Sequence, residues 1–337
     1  MTGPVLVEAT RGGQVESRHR GAVCVADAGG RRVLALGDVD TPVFPRSAVK
    51  ALQALPLIES GAADKFGLDQ AEIALACASH SGKAAHVASA ASMLAKAGRS
   101  VADLECGAHW PIAEAAQRQL AREGREPTAL HNNCSGKHAG FVCLACAEGV
   151  DPAGYVEVDH PVQKQVRRVL EETTGARLDP AEAGVDGCSI PTWPIPLAAL
   201  ARAFARFGSG EGFSKTRAQA AERIRIACAR HPHMVAGSGR FDTEVMCAFG
   251  ARAFVKTGAE GVHCAAFPEL GLGVAIKCQD GAGRAADVAM AAVIARFLPL
   301  DAGESAALAP RLSPKLVNWR GRQVGDLRAT NELMARG

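Results

Sequence analysis

Ser47 and Lys50 stand three residues apart in FPRSAVKALQALPLIESG, which runs from Phe44 to Gly61. On a helix, positions three apart share a face, so a hydroxyl and an ammonium can meet there. A serine hydroxyl becomes a nucleophile when an adjacent base takes its proton. A lysine serves as that base once its pKa falls from about 10.4 toward roughly 7–8. Burial and a neighbouring cation both push it that way. Ala51, Leu52, Ala54, Leu55 and Leu57 follow, so a buried amine is expected. The bland alternative is a salt-bridging surface lysine, because S-x-x-K is short enough to arise by chance.

A second lysine sharpens the case. Lys256-Thr257-Gly258 lies in a strand-like run far along the chain. S-x-x-K on a helix with K-T-G on a late strand is the pattern of serine β-lactamases and penicillin-binding proteins. There the sheet edge brings the second lysine to face the nucleophile helix. Between the two motifs lies CASHSGK, with Ser79, His80, Ser81 and Gly82 where that pattern has its middle triplet. Ser79 is a candidate proton relay between Lys256 and the nucleophile. The competing interpretation is a turn that caps the next helix.

HNNCSGKHAGF (His131–Phe141) opens another helix. Cys134 shares a face there with Lys137 or with His138. A cysteine at a helix N-terminus has a lowered pKa and suits a metal or nucleophilic role. VDGCSIPTW adds Cys188 and Asp186 in a loop. Zinc held by Cys/His ligands with one open position fits these residue types, although the spacing is not that of a zinc finger. Cys143 and Cys146 read as small core hydrophobes. In GSGRFDT, Arg240 follows two glycines and could fork onto a carboxylate. Equally, this stretch is a loop whose helix is capped by Asp242 or Thr243.

The elements that must position these residues follow from periodicity. PVLVEATRG, VESRHRGAVCVAD and RRVLALGD are valine-rich runs separated by Gly12-Gly13 and Gly29-Gly30, which predicts an antiparallel meander. Helices are expected over 47–60, 83–98, 135–149, 160–175, 196–208, 215–230 and about 284–298. Strands return at 252–258, 262–268 and 272–280. Residues 1–337 form one catalytic domain of α+β class. Its antiparallel sheet comes from about 4–40 and 252–298, its helical region spans about 62–250, and the last 35 or so residues are irregular. A net charge of +3 and 4% aromatic residues give no case for nucleic-acid binding. No apolar run reaches the length of a membrane helix. No secretory signal is visible, so the cytoplasm and reduced thiols are expected for the eleven cysteines.

Together PRSAVKALQALPLIESG, ALACASHSG, HNNCSGKHAGF, VDGCSIPTW, GSGRFDT and VKTGAEG resemble the L-asparaginase family of Rhizobium etli type, the class 3 asparaginases. The similarity runs from about Pro4 to Arg284. It implies a serine β-lactamase-like fold, a homodimer, and hydrolysis of L-asparagine to L-aspartate and ammonia. It implies two Ser–Lys tandems, Ser47 with Lys50 and Ser79 with Lys256. It implies a Zn2+ site of Cys134, Lys137 and Cys188, where the residues alone suggest His138 in place of the lysine. A lysine ligand must lose its proton, which needs the field of the metal. Arg46, His80, His138, Asp186 and Arg240 are then the expected substrate contacts. A β-lactam or D-Ala peptide hydrolase, a zinc-water amidohydrolase and a small-molecule sensor are the competing functions.

Overall fold

The computed structural model describes residues 3–335. The N-terminal runs pair as expected. Val5–Arg11 lies antiparallel to Gln14–Asp27, and the far end of that long strand pairs with Arg32–Leu36. The three C-terminal strands then join the same sheet. Leu272–Cys278 pairs with Gln14–Asp27, Val262–Phe267 pairs with Leu272–Cys278, and Phe254–Thr257 closes the row. Every pairing is antiparallel, so side chains alternate between two faces.

One face receives the helix Leu197–Ser209 and, beyond it, the helical middle of the chain. The other receives the helix Gly283–Phe297. Leu197–Ser209 buries leucine, alanine and phenylalanine, Gly283–Phe297 buries alanine, valine and isoleucine, and the central strands Val262–Phe267 and Leu272–Cys278 are buried on both sides. Gly273 is what lets Leu197–Ser209 lie flat on the sheet. A Cβ there would overlap the Ala201 carbonyl and the Ala205 amide. Neither backbone can yield without moving the whole helix. Gly273→Ala is therefore expected to destabilise the protein by about 2 kcal/mol or more, read as a fall in the thermal or denaturant midpoint.

Two expectations fail here. The last residues are structured rather than irregular: Ala302–Leu312 is a helix, and Lys315–Val317 and Gln323–Ala329 are strands. Gln323–Ala329 pairs with Val5–Arg11, so the sheet has eight strands and reaches well past position 298. Only Leu327 of that strand is fully buried, which is why its sequence carries so little alternation. The expected helix over 47–60 is also broken. Arg46–Val49 is a 3₁₀ turn, followed by short helices at Lys50–Gln53 and Leu55–Glu59. Pro56 lacks the N–H that would have continued the first segment into the second. Gly61, at φ +76°, ends the run as expected. The other helices start and stop within a residue or two of their expected positions.

Candidate active site

Lys256 reaches the helical region because its strand alternates. The register pairs Lys256 with Cys264 on one face and Thr257 with His263 on the other. The strand sits close against the Ser47 turn. A Cβ on Gly258 would lie 2.7 Å from the Pro45 carbonyl oxygen, so only glycine allows this approach. Arg46 enters the turn with φ +51°, a left-handed conformation that costs a non-glycine residue roughly 1–3 kcal/mol.

Three side chains from distant segments then meet. Lys50 Nζ donates to Ser79 Oγ at 3.0 Å, to the Ala78 carbonyl at 2.6 Å and to Cys134 Sγ at 3.1 Å. Lys256 Nζ lies 3.1 Å from the same Ser79 hydroxyl and donates to the Thr257 carbonyl at 2.8 Å. Ser79 thus bridges two buried lysines. Burial first, and then the nearby Lys50 and Arg240, pull Lys256 down to about 8 against the field of Asp242. This is the range in which an amine exchanges protons near neutral pH.

The hydrogen bond expected between Ser47 and Lys50 is not present. The three donors of Lys50 are all taken by Ala78, Ser79 and Cys134. The 3₁₀ geometry of Arg46–Val49 also places Ser47 differently from a residue one α-helical turn before Lys50. Ser47 is half-buried in that turn, and among the described residues its hydroxyl makes no hydrogen bond.

Beyond Cys134 the line continues into a second cluster. Lys137 Nζ donates to Cys188 Sγ at 3.0 Å. Cys134 is pushed well down by the neighbouring Cys188 thiol and by Lys50 and Lys137, against burial; Cys188 is pushed up. Lys137 is not depressed by its fellow lysines. Burial lowers it, but Cys188, Cys134 and Asp186 outweigh burial and raise it. Two sulfurs and one amine, all buried and converging, form a donor set that fits zinc with a fourth position left over. Among the described residues, no three His, Cys, Asp or Glu side chains gather around a common metal position. The set expected from the sequence depends on its lysine.

The expected substrate contacts sort into different kinds. Arg46 Nε donates to Asp186 Oδ1 at 2.6 Å, which ties the loop of Cys188 to the turn of Ser47. Asp186 is lowered: burial opposes this, and Lys137 and Arg46 overcome it. His80 is committed to the scaffold. Its Nδ1 accepts from the Gly82 N–H at 3.1 Å, and its Nε2 therefore carries the proton and donates to Ser135 Oγ at 2.8 Å. Both of its ring nitrogens are thus engaged within the protein. His138 Nδ1 contacts Tyr155 Oη at 2.6 Å, while its buried Nε2 has no hydrogen-bond partner among the described residues. Arg240 is half-buried, and its field reaches Lys256. Among the described residues its guanidinium makes no hydrogen bond or ion pair.

Asp242 was legible only as a helix cap, and it is not one. It sits in the first turn of Phe241–Phe249 and accepts from the Thr257 N–H at 3.0 Å and the Thr257 hydroxyl at 2.5 Å. It thereby covers the open edge of the Lys256 strand and fixes it against the helical region. Thr243 does not cap either; its hydroxyl donates to the Gly237 carbonyl at 2.8 Å. All eleven cysteines are free, and Cys143 is buried in the core as expected. No helix of the described residues is long and apolar enough to cross a membrane.

Comparison with known proteins places this site in a family. No curated protein sequence matches the chain. Among solved structures it is similar to a β-lactamase from Mycobacterium bovis, with 14% identity, 86% of this chain and 94% of that chain covered, and a TM-score of 0.39. It is similar also to a simvastatin synthase from Aspergillus terreus, with 12% identity, 77% of this chain and 86% of that chain covered, and a TM-score of 0.38. The family model described as L-asparaginase II matches residues 7–329. That span takes in Ser47, Lys50, Ser79, Cys134, Lys137, Cys188 and Lys256, and the chain belongs to the L-asparaginase II family of amide-cleaving hydrolases.

Proposed function

We propose that this enzyme hydrolyses L-asparagine to L-aspartate and ammonia through a serine acyl-enzyme of the Rhizobium etli type, on a serine β-lactamase-like fold. The observation that carries it is the Lys50–Ser79–Lys256 line, whose Lys256 strand packs against the turn that holds Ser47. With Lys256 neutral, its Nζ takes the Ser79 proton, Ser79 takes one from Lys50, and Lys50 becomes a free amine. Ser47 then attacks the side-chain amide carbon while Lys50 accepts its proton. The same line returns a proton to the leaving nitrogen, which departs as ammonia. Water repeats the cycle on the β-aspartyl ester, and Ser47 regains its proton.

Substrate recognition needs a cation for the α-carboxylate and an anion for the α-amine. Arg240 supplies the first, because Arg46 is already paired with Asp186. Asp186 supplies the second through Oδ2, the oxygen that Arg46 leaves free. Cys134, Lys137 and Cys188 are the residues that would hold zinc, which when bound supplies a Lewis-acidic anchor for polar atoms of the substrate. Cys188→Ser is expected to lose bound zinc, measured by metal analysis of the purified enzyme. A homodimer in the cytoplasm completes this picture.

Because Lys256 must be neutral for the proton line to work, kcat/KM is expected to rise with pH and level off above about 8. A rate that is flat from pH 6 to 9 would remove Lys256 from the line. The function itself is tested by ammonia release from L-asparagine and L-glutamine, with and without added zinc, beside a β-lactam hydrolysis assay. Turnover of the β-lactam with no ammonia from asparagine would transfer the site to cell-wall-type chemistry.

A further inference from the structure

Behind Lys256 lies a row of charge that the hydrolytic steps do not use. Asp242 Oδ2 is 3.6 Å from Lys256 Nζ, and Asp242 Oδ1 is 3.3 Å from His263 Nε2. On its other side, His263 Nδ1 lies 3.4 Å from Asp287 Oδ1. His263 has no exposed surface, whereas the Asp287 side chain is 36% exposed. His263 Nδ1 and Asp287 Oδ1 are both buried atoms outside hydrogen-bonding geometry, so they face each other as charges. Burial pushes His263 down, but Asp242 and Asp287 outweigh it and bring it up to about 9.

The surroundings of His263 are few. Asp242 comes from Phe241–Phe249 and Asp287 from Gly283–Phe297, and the Thr257 hydroxyl on the neighbouring strand is 3.4 Å away. Ile276 stands opposite on the other strand, and the Phe241 ring meets the imidazole edge-on at 5.0 Å. Lys256 lies on the far side of Asp242.

We propose that His263, clamped between Asp242 and Asp287, is a positioning residue that shares the Asp242 carboxylate with Lys256 and so sets how readily Lys256 gives up its proton. The inference rests on the assignment of Lys256 to the catalytic line. Its physical basis is a division of field. Asp242 alone would face Lys256 as a full buried anion and hold the ammonium charged. An imidazolium on the other side of that carboxylate cancels part of its field. The consequences carry opposite signs. Removing the imidazolium makes Lys256 harder to deprotonate, and removing Asp242 makes it easier. Removing Asp287 loosens the imidazolium proton, which acts in the same direction as losing His263 but more weakly.

The test is an NMR titration of the full chain carrying 13Cε-labelled lysine, with the Lys256 signal assigned by its loss in Lys256→Arg. His263→Gln is expected to raise the Lys256 midpoint by roughly 1 pH unit, Asp287→Asn by less, and Asp242→Asn to lower it. The acid limb of asparagine hydrolysis should move with each midpoint. A purely structural role would lower activity at every pH and leave the midpoint in place. An unmoved or lowered midpoint in His263→Gln overturns the inference. If that variant does not fold, an unmoved midpoint in Asp287→Asn, whose side chain lies at the surface, does the same. Midpoints that shift without any shift in the hydrolysis limb leave the inference standing and remove Lys256 from the catalytic line.

Discussion

Ser47→Ala is expected to lower kcat for asparagine hydrolysis by at least about 10⁴-fold, the scale on which a lone nucleophile is missed. It should also abolish the aspartyl adduct seen by mass spectrometry after rapid acid quench. Ser79→Ala should cost less, about 10²–10³-fold, because it breaks a proton path while the attacking oxygen stays. The order of the two effects is the decisive result. Ser79 is the better hydrogen-bonded serine, caught between Lys50 and Lys256, and by local activation alone it is the stronger nucleophile candidate. It is also the more buried, and its oxygen already bridges two amines. If Ser79→Ala removes the adduct and Ser47→Ala keeps it, the two serines exchange roles.

Lys50→Met should separate activity from stability. Loss of the amine removes the proton acceptor, and turnover should fall by about 10³-fold or more. Stability should change by no more than about 1 kcal/mol, because a buried ammonium carries a desolvation cost that an apolar chain of similar length does not. Set against that relief are three lost hydrogen bonds, to the Ala78 carbonyl, Ser79 and Cys134. Thermal denaturation beside the rate measurement decides the matter. A variant that is inactive because it has unfolded would show that Lys50 holds the three segments together.

The residue types of the site were largely legible, and their partners were not. S-x-x-K, K-T-G and the Cys134–Lys137 spacing each point to chemistry because helix and strand periods place side chains predictably within one segment. Which hydroxyl Lys50 touches depends on how the helix Gln70–Ala76 delivers Ser79 from the side, and no local period encodes that. Asp242 was misjudged for the same reason. Its role comes from a strand edge 15 residues later in the chain. His263 gave no signal at all, being a single polar residue in a buried strand whose two carboxylates arrive from separate helices. In the fold, valine-rich central strands were recognisable, whereas Gln323–Ala329 was not, because a peripheral strand with one buried residue has almost no apolar pattern.

The pairing of Gln323–Ala329 with Val5–Arg11 constrains how the chain is built. Thr10 bonds to Asp326, a partner 316 residues away, and Val7 pairs with Ala329. A strand must therefore wait for a partner synthesised more than 300 residues after it. Loop closure over such a span is entropically costly, and contacts of this separation slow folding. During synthesis Val5–Arg11 can hold its hairpin with Gln14–Asp27, but its outer edge stays open to other chains until Gln323–Ala329 has emerged. Capture by a second nascent copy during that interval is the characteristic hazard of this topology, and a chain cut short before Gln323 would keep that edge open permanently.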